Sequence, residues 1–173
     1  MSSTPGKIHY LDNMGRPNWR GPVGVSDSIL HLDTRALIDV FLVVKRGEPS
    51  QDPHWQHWLF QWSHGTSKIG SYPIVRRLQV TQEAQLDHLT NWGAVSTSTA
   101  DVTPENSVFV LLKKMSVKER AKFERICEAT RVRAPDGHWN CQNWCQEALA
   151  GAVREGILTR EEVARAVREA ESV

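Results

Sequence analysis

The chain has 173 residues, of which 40% are hydrophobic and 24% charged, and a formal net charge of +1. That length and composition fit one globular domain with its own core. The near-zero charge offers no electrostatic footprint for nucleic acid, and no apolar run reaches the length of a membrane span. Three cysteines without an apolar N-terminal leader point to a reducing, cytoplasmic setting rather than a disulfide framework.

The first residues carry Pro5, Gly6, Gly15, Pro17, Gly21, Pro22 and Gly24 without any period. An irregular arm is therefore expected over 1–26, with 27–173 forming the single domain. Residues 27–39 read either as a short helix or as loop and strand. Val40-Phe-Leu-Val-Val-Lys45 is a β-branched apolar run, a strand buried on both faces. After a turn over 46–53, His57-Trp-Leu-Phe-Gln-Trp62 reads as a second strand, antiparallel to the first. The chain then turns over 63–70. From Ile74 to Val80 the pattern alternates, with Ile74, Arg76, Leu78 and Val80 on one side and Val75, Arg77 and Gln79 on the other. Residues 81–92 carry no clear pattern, and the Ser/Thr-rich stretch 94–106 reads as loop. Ser107-Val-Phe-Val-Leu-Leu112 is a further strand.

Two capping boxes follow, Ser116-Val-Lys-Glu119 and Thr159-Arg-Glu-Glu162. The first starts a helix with Phe123, Ile126, Cys127 and Thr130 at helical spacing. The second starts one with Val163, Ala166, Val167 and Ala170 inward. Between them Asn140 stands at an N-cap position, and Trp144, Cys145, Ala148, Leu149, Ala152 and Val153 form a wide apolar stripe. That helix should be central and buried, and should end at Gly156. Strands in the middle and helices at the end give an α+β class, helices packed on a mainly antiparallel sheet.

Cys141 falls in the first turn of the central helix. A thiol there faces the positive end of the helix dipole, which favours thiolate; the plain alternative is one more buried cysteine. A nucleophilic thiol needs a base, and His57, opening a stiff strand, is the expected one. His54 and His64 flank that strand. Trp58, His54, Trp139, Asn140 and Gln142 are expected around a substrate, since indoles suit a cleft wall as well as a core. Cys141, Cys145 and His138 resemble half a metal site, but no second cluster at matching spacing completes it, so neither metal nor cofactor is expected.

The strand His57-Trp-Leu-Phe60 after Val40–Gly47, and the helix start Trp139-Asn-Cys-Gln-Asn-Trp144, together resemble the circularly permuted papain-like enzymes. These are the NlpC-type and lecithin retinol acyltransferase-like proteins in which histidine precedes cysteine. A fungal group with a His-Trp strand and a Trp-Asn-Cys helix start is particularly similar. The resemblance spans about residues 38–158. It implies a permuted papain-like fold, with Cys141 as nucleophile and His57 as base. It further implies a hydrolase or acyltransferase working through a thioester on a small-molecule, lipid or peptide substrate. The family carries a second polar residue, often histidine, on the strand after the base. Here that strand begins Ser71-Tyr-Pro-Ile74, which leaves His64, Ser71 or Tyr72 for the role. The alternative is a catalytically silent scaffold that binds a ligand or a partner protein.

Overall fold

Branched and aromatic side chains suit a pleated surface covered on both sides, and Val40–Val44 form the middle of β1 (Ile38–Lys45). The computed structural model describes residues 8–17, 33–47, 52–66, 72–98 and 106–173. In it β1 is flanked by β2 (His57–Thr66) and β5 (Ser107–Met115). β3 (Pro73–Gln82) lies beyond β2, and β4 (Leu89–Ser98) closes that side. The order is β4-β3-β2-β1-β5, antiparallel throughout. Register shifts at Val40/Phe41, Ser63/Thr66 and Leu78/Val80 add local bends and twist.

Two expectations change here, and one proline takes an interior place. The Ser/Thr-rich stretch from Ala94, expected as loop, is strand through Ser98, and residues 99–105 lie outside the described set. Its ladder with β3 is a backbone bond pattern that needs few apolar side chains. The second strand does not stop at Trp62 but continues to Thr66. Pro73, a residue that suggests a sheet edge, instead opens β3, which has neighbours on both sides; the first position of a strand tolerates the missing N–H. Of the ambiguous segment 27–39, residues 27–32 lie outside the description, and Ile38 already belongs to β1.

The helices are α1 (Val117–Ala129), α2 (Cys141–Arg154) and α3 (Arg160–Glu171). Each starts with a reciprocal cap: Ser116 with Glu119, Asn140 with Asn143, Thr159 with Glu162. Such caps satisfy backbone donors that the first turn leaves open. Gly156, at φ +69°, follows the end of α2 in the left-handed region glycine adopts most easily. α2 packs on β2 and β3, α1 on β4, and α3 on β5 and β1. Trp58, Phe60, Trp62, Leu42, Leu78, Phe123, Trp144 and Leu149 are buried together between sheet and helices. Phe60 stands edge-on to Phe123 with ring centres 4.9 Å apart. Each such burial contributes about 1.5–3 kcal/mol. Trp58 and Trp62 keep buried indole N–H groups without a partner among the described residues, which offsets part of that gain.

The opposite face of the sheet is apolar at its centre too. Val43, Leu59 and Val75 are fully buried there, and Phe41 meets Phe109 edge-on at 5.7 Å. His57, Gln61, Arg77 and Gln79 share this face.

Two anchors tie irregular segments to the core. Fully buried Arg120 donates to both Asp33 oxygens (2.7 and 3.0 Å) and to the carbonyls of Thr34, Ala36 and Met115. Of the N-terminal arm expected over 1–26, residues 8–17 are described, and they are pinned: Tyr10 bridges Arg133, and Asp12–Gly15 form a 3-10 turn. Gly15 sits at φ +75°, and a Cβ there would stand 2.6 Å from the Leu89 carbonyl oxygen, so no larger residue fits without a shift. Among the described residues no helix is long and apolar enough to cross a membrane.

Candidate functional site at the start of the cysteine helix

Asp136 and Gly137 make the turn that feeds α2. The Asp136 carboxylate accepts the N–H groups of His138 (2.8 Å) and Trp139 (2.7 Å), and Gly137 takes φ +80°. Asn140 is extended, and its side-chain oxygen accepts from Gln142 N (2.9 Å) and Asn143 N (3.4 Å). Cys141 therefore occupies the first helical position.

The side-chain amides on either side of Cys141 face the 3-10 turn Pro53–Trp55. Asn140 Nδ2 donates to the His54 carbonyl (3.0 Å) and lies 3.2 and 3.3 Å from the two nitrogens of the His54 ring. Gln142 Nε2 donates to the carbonyls of Pro53 (2.8 Å), His54 (3.3 Å) and Gln56 (3.2 Å). Asp52 caps the turn by accepting from His54 N. Asn140 and Gln142, expected around a substrate, thus hold this loop to the helix.

The Cys141 sulfur packs against the same loop, 3.7 Å from the Gln56 carbonyl oxygen, and the residue is only 8% exposed. Burial raises its pKa, and the N–H groups of Trp58, Cys141 and Gln142 offset only part of that. The pull of the helix dipole toward thiolate is thus opposed here, since desolvation outweighs the N–H groups directed at the sulfur. Cys127 and Cys145 are fully buried, and burial pushes both further up.

His57 stands elsewhere. Trp58, Phe60 and Trp62 point to the helices, so the period of two sends His57, Leu59 and Gln61 to the other face. The His57 ring bonds Gln79 Oε1 through Nε2 at 3.0 Å. Burial lowers its pKa, more than the Gln79 bond raises it, and nearby Lys45 lowers it further. Cys141 meets backbone atoms of Gln56 and Trp58, while the His57 ring meets Gln79. Tyr72 is 49% exposed and adjoins Pro73, which pairs with Thr66 at the far end of β2. His64 lies near that end as well, roughly 20 Å along the strand from His57. Its side chain and all of Ser71 lie outside the described residues. Trp58, expected to touch substrate, is fully buried in the core.

A groove of about 220 Å³ does open beside the helix start. Its walls include His54, Asn140 and Trp139, and also Trp55 and His88, which sequence reasoning did not single out. Trp55 is 65% exposed, and the His54 ring stands edge-on to it at 5.2 Å. The Asp-Pro pair before His54-Trp55 is a turn signal that could have placed it on a rim. His88 sits between two acceptors, Asp87 Oδ1 (3.1 Å) and the Gly15 carbonyl (3.0 Å), and both raise its pKa, the carbonyl more. Nothing local in the sequence links residue 88 to residue 15. Larger hollows of about 670 and 320 Å³ lie under the arm and beside α1. Neither holds a thiol or an imidazole, and the aromatic ring of the second, Tyr10, is already covered by Arg131 at 4.0 Å. The groove at the helix start is the better candidate. No group of three His, Cys, Asp or Glu among the described residues is placed to hold a metal. Comparison with protein families, curated proteins and solved structures gives no match.

Proposed function

We propose that this chain is a catalytically silent, permuted papain-like scaffold that serves as a ligand-binding module through the groove beside Cys141. The papain-like part of the reading draws on chain order: a histidine strand precedes a cysteine helix packed on an antiparallel sheet. The silent part rests on one observation. The Cys141 sulfur lies against the Gln56 carbonyl, while the His57 imidazole is bonded to Gln79 on the other side of β2. A base must come within hydrogen-bond reach of the proton it removes.

A brief iodoacetamide pulse at neutral pH, read by mass spectrometry, tests this. Cys141 should be alkylated no faster than an ordinary free thiol, and His57→Ala should leave its rate unchanged. Fast alkylation of Cys141 that His57→Ala slows would overturn the reading. It would favour instead a thiol hydrolase or acyltransferase, for which one feature speaks: the N–H groups of Trp58, Cys141 and Gln142 converge on the sulfur, where they could stabilise negative charge.

A further inference from the structure

Trp55 contributes little to folding. It is the most exposed large hydrophobic side chain among the described residues, at 65%, on a loop that Asn140, Gln142 and Asp52 hold in place with hydrogen bonds. An indole presented to water on a fixed support is a preorganised contact surface, since no loop ordering remains to be offset on binding. Trp139 lines the same groove, with its N–H directed away to Glu147 (3.2 Å).

The charges around this groove compensate one another. Arg133 pairs with Glu147, and His88 pairs with Asp87. An anionic ligand would therefore find the arginine of the lining, Arg133, already paired with a carboxylate. The helix start offers no anion site either, because the Asn140 side chain already accepts from the backbone N–H groups of Gln142 and Asn143. What the walls still offer is an apolar indole face and hydrogen-bond acceptors. Gln82 donates its amide to the Leu86 carbonyl, which leaves its own oxygen as an acceptor at the rim. The Asp87 carboxylate, 92% exposed, has accepting capacity beyond its bond to His88.

We infer that the groove is a carbohydrate subsite, taking a neutral sugar ring with its C–H face on Trp55 and its hydroxyls on Gln82 and Asp87. A sugar ring matches the three features together: it has an apolar face, donates from several hydroxyls and carries no charge. A volume of about 220 Å³ suits one ring of a longer oligosaccharide rather than a buried ligand. This inference rests on the binding-module reading and specifies its ligand.

The test uses the full chain on an array of neutral, sialylated and sulfated oligosaccharides, with any hit titrated by calorimetry. At least one neutral glycan should bind, and Trp55→Ala should weaken it about tenfold or more. Trp55→Phe, which keeps an aromatic face, should weaken it less. Trp55 lies outside the core, so neither variant threatens folding. Binding confined to charged glycans, retention of no glycan, or an affinity that Trp55→Ala leaves unchanged would each overturn the inference. Ligand-observed NMR with a library of aromatic and aliphatic fragments separates the two levels. Fragments that bind at Trp55 while no glycan does would remove the sugar and leave the binding module standing.

Discussion

The two sides of β2 have opposite characters. Toward the helices it presents Trp58, Phe60 and Trp62, all buried in one core with Trp144 and Phe123. Away from them it presents His57, Leu59 and Gln61, with His57 bonded across to Gln79. The lesson is one of parity. His54, three positions before His57, meets the helix through its carbonyl, whereas the histidine on the strand itself bonds to Gln79. Bulk decides which parity faces inward: three large aromatic side chains gain more from the helix-side core than an imidazole would.

The largest expected effect tests that contrast directly. Trp58→Ala should cost about 3–5 kcal/mol in urea unfolding, whereas His57→Ala, one residue away, should cost about 1 kcal/mol. Equal losses would mean the two sides are not distinct. Asn140→Ala comes next, at about 1–2 kcal/mol, because the first turn of α2 loses its cap. It should also speed alkylation of Cys141, since the loop that shields the sulfur loses a tie. Asn140→Asp keeps the capping oxygen and removes the donor to the His54 carbonyl, so faster alkylation without the full stability loss would separate the two roles.

A smaller effect is pH-dependent. Backbone and hydroxyl bonds from Ser116, with Lys113 beside it, hold Glu119 down to about 2 from an ordinary 4.5. The folded value is depressed, so this stabilisation is complete above pH 4.5 and is lost as pH falls toward 2. Glu119→Gln should flatten the acid side of the stability curve over that window; an unchanged slope would contradict it. The smallest expected change is in the stability of Trp55→Ala, within about 0.5 kcal/mol of the parent. A larger loss would show that Trp55 belongs to the fold and not to a rim.

The parts that sequence reading reached are those determined by near neighbours. All three helix starts were legible because caps are local: Ser116 with Glu119 and Thr159 with Glu162 as boxes, and Asn140 as an N-cap, while its reciprocal partner Asn143 emerged only in the structure. β1 and β5 were legible because branched apolar runs have few other homes. β4 was not, because Thr90, Gly93, Ser96 and Thr97 advertise a loop and only the ladder with β3 makes them strand. In the candidate site, Asn140 and Cys141 were placed correctly at the helix start, but the state of the thiol depends on burial by the distant residues 53–56. The facing of His57 could have been read from the alternation of Trp58, Phe60 and Trp62 against His57, Leu59 and Gln61. The clasp of His88 on Gly15 could not, since it spans most of the first half of the chain.

Arg120 has a consequence for how this sequence can vary. Apart from Asp33, its partners are main-chain oxygens, those of Thr34, Ala36 and Met115. What it specifies is a route for the polypeptide, not a set of side chains. Thr34, Arg35 and Ala36 should accept exchange for most residues that can follow the same backbone path, while replacement of Asp33 leaves an uncompensated cation in the interior. A library randomised over 33–36 should therefore return one invariant column beside three permissive ones.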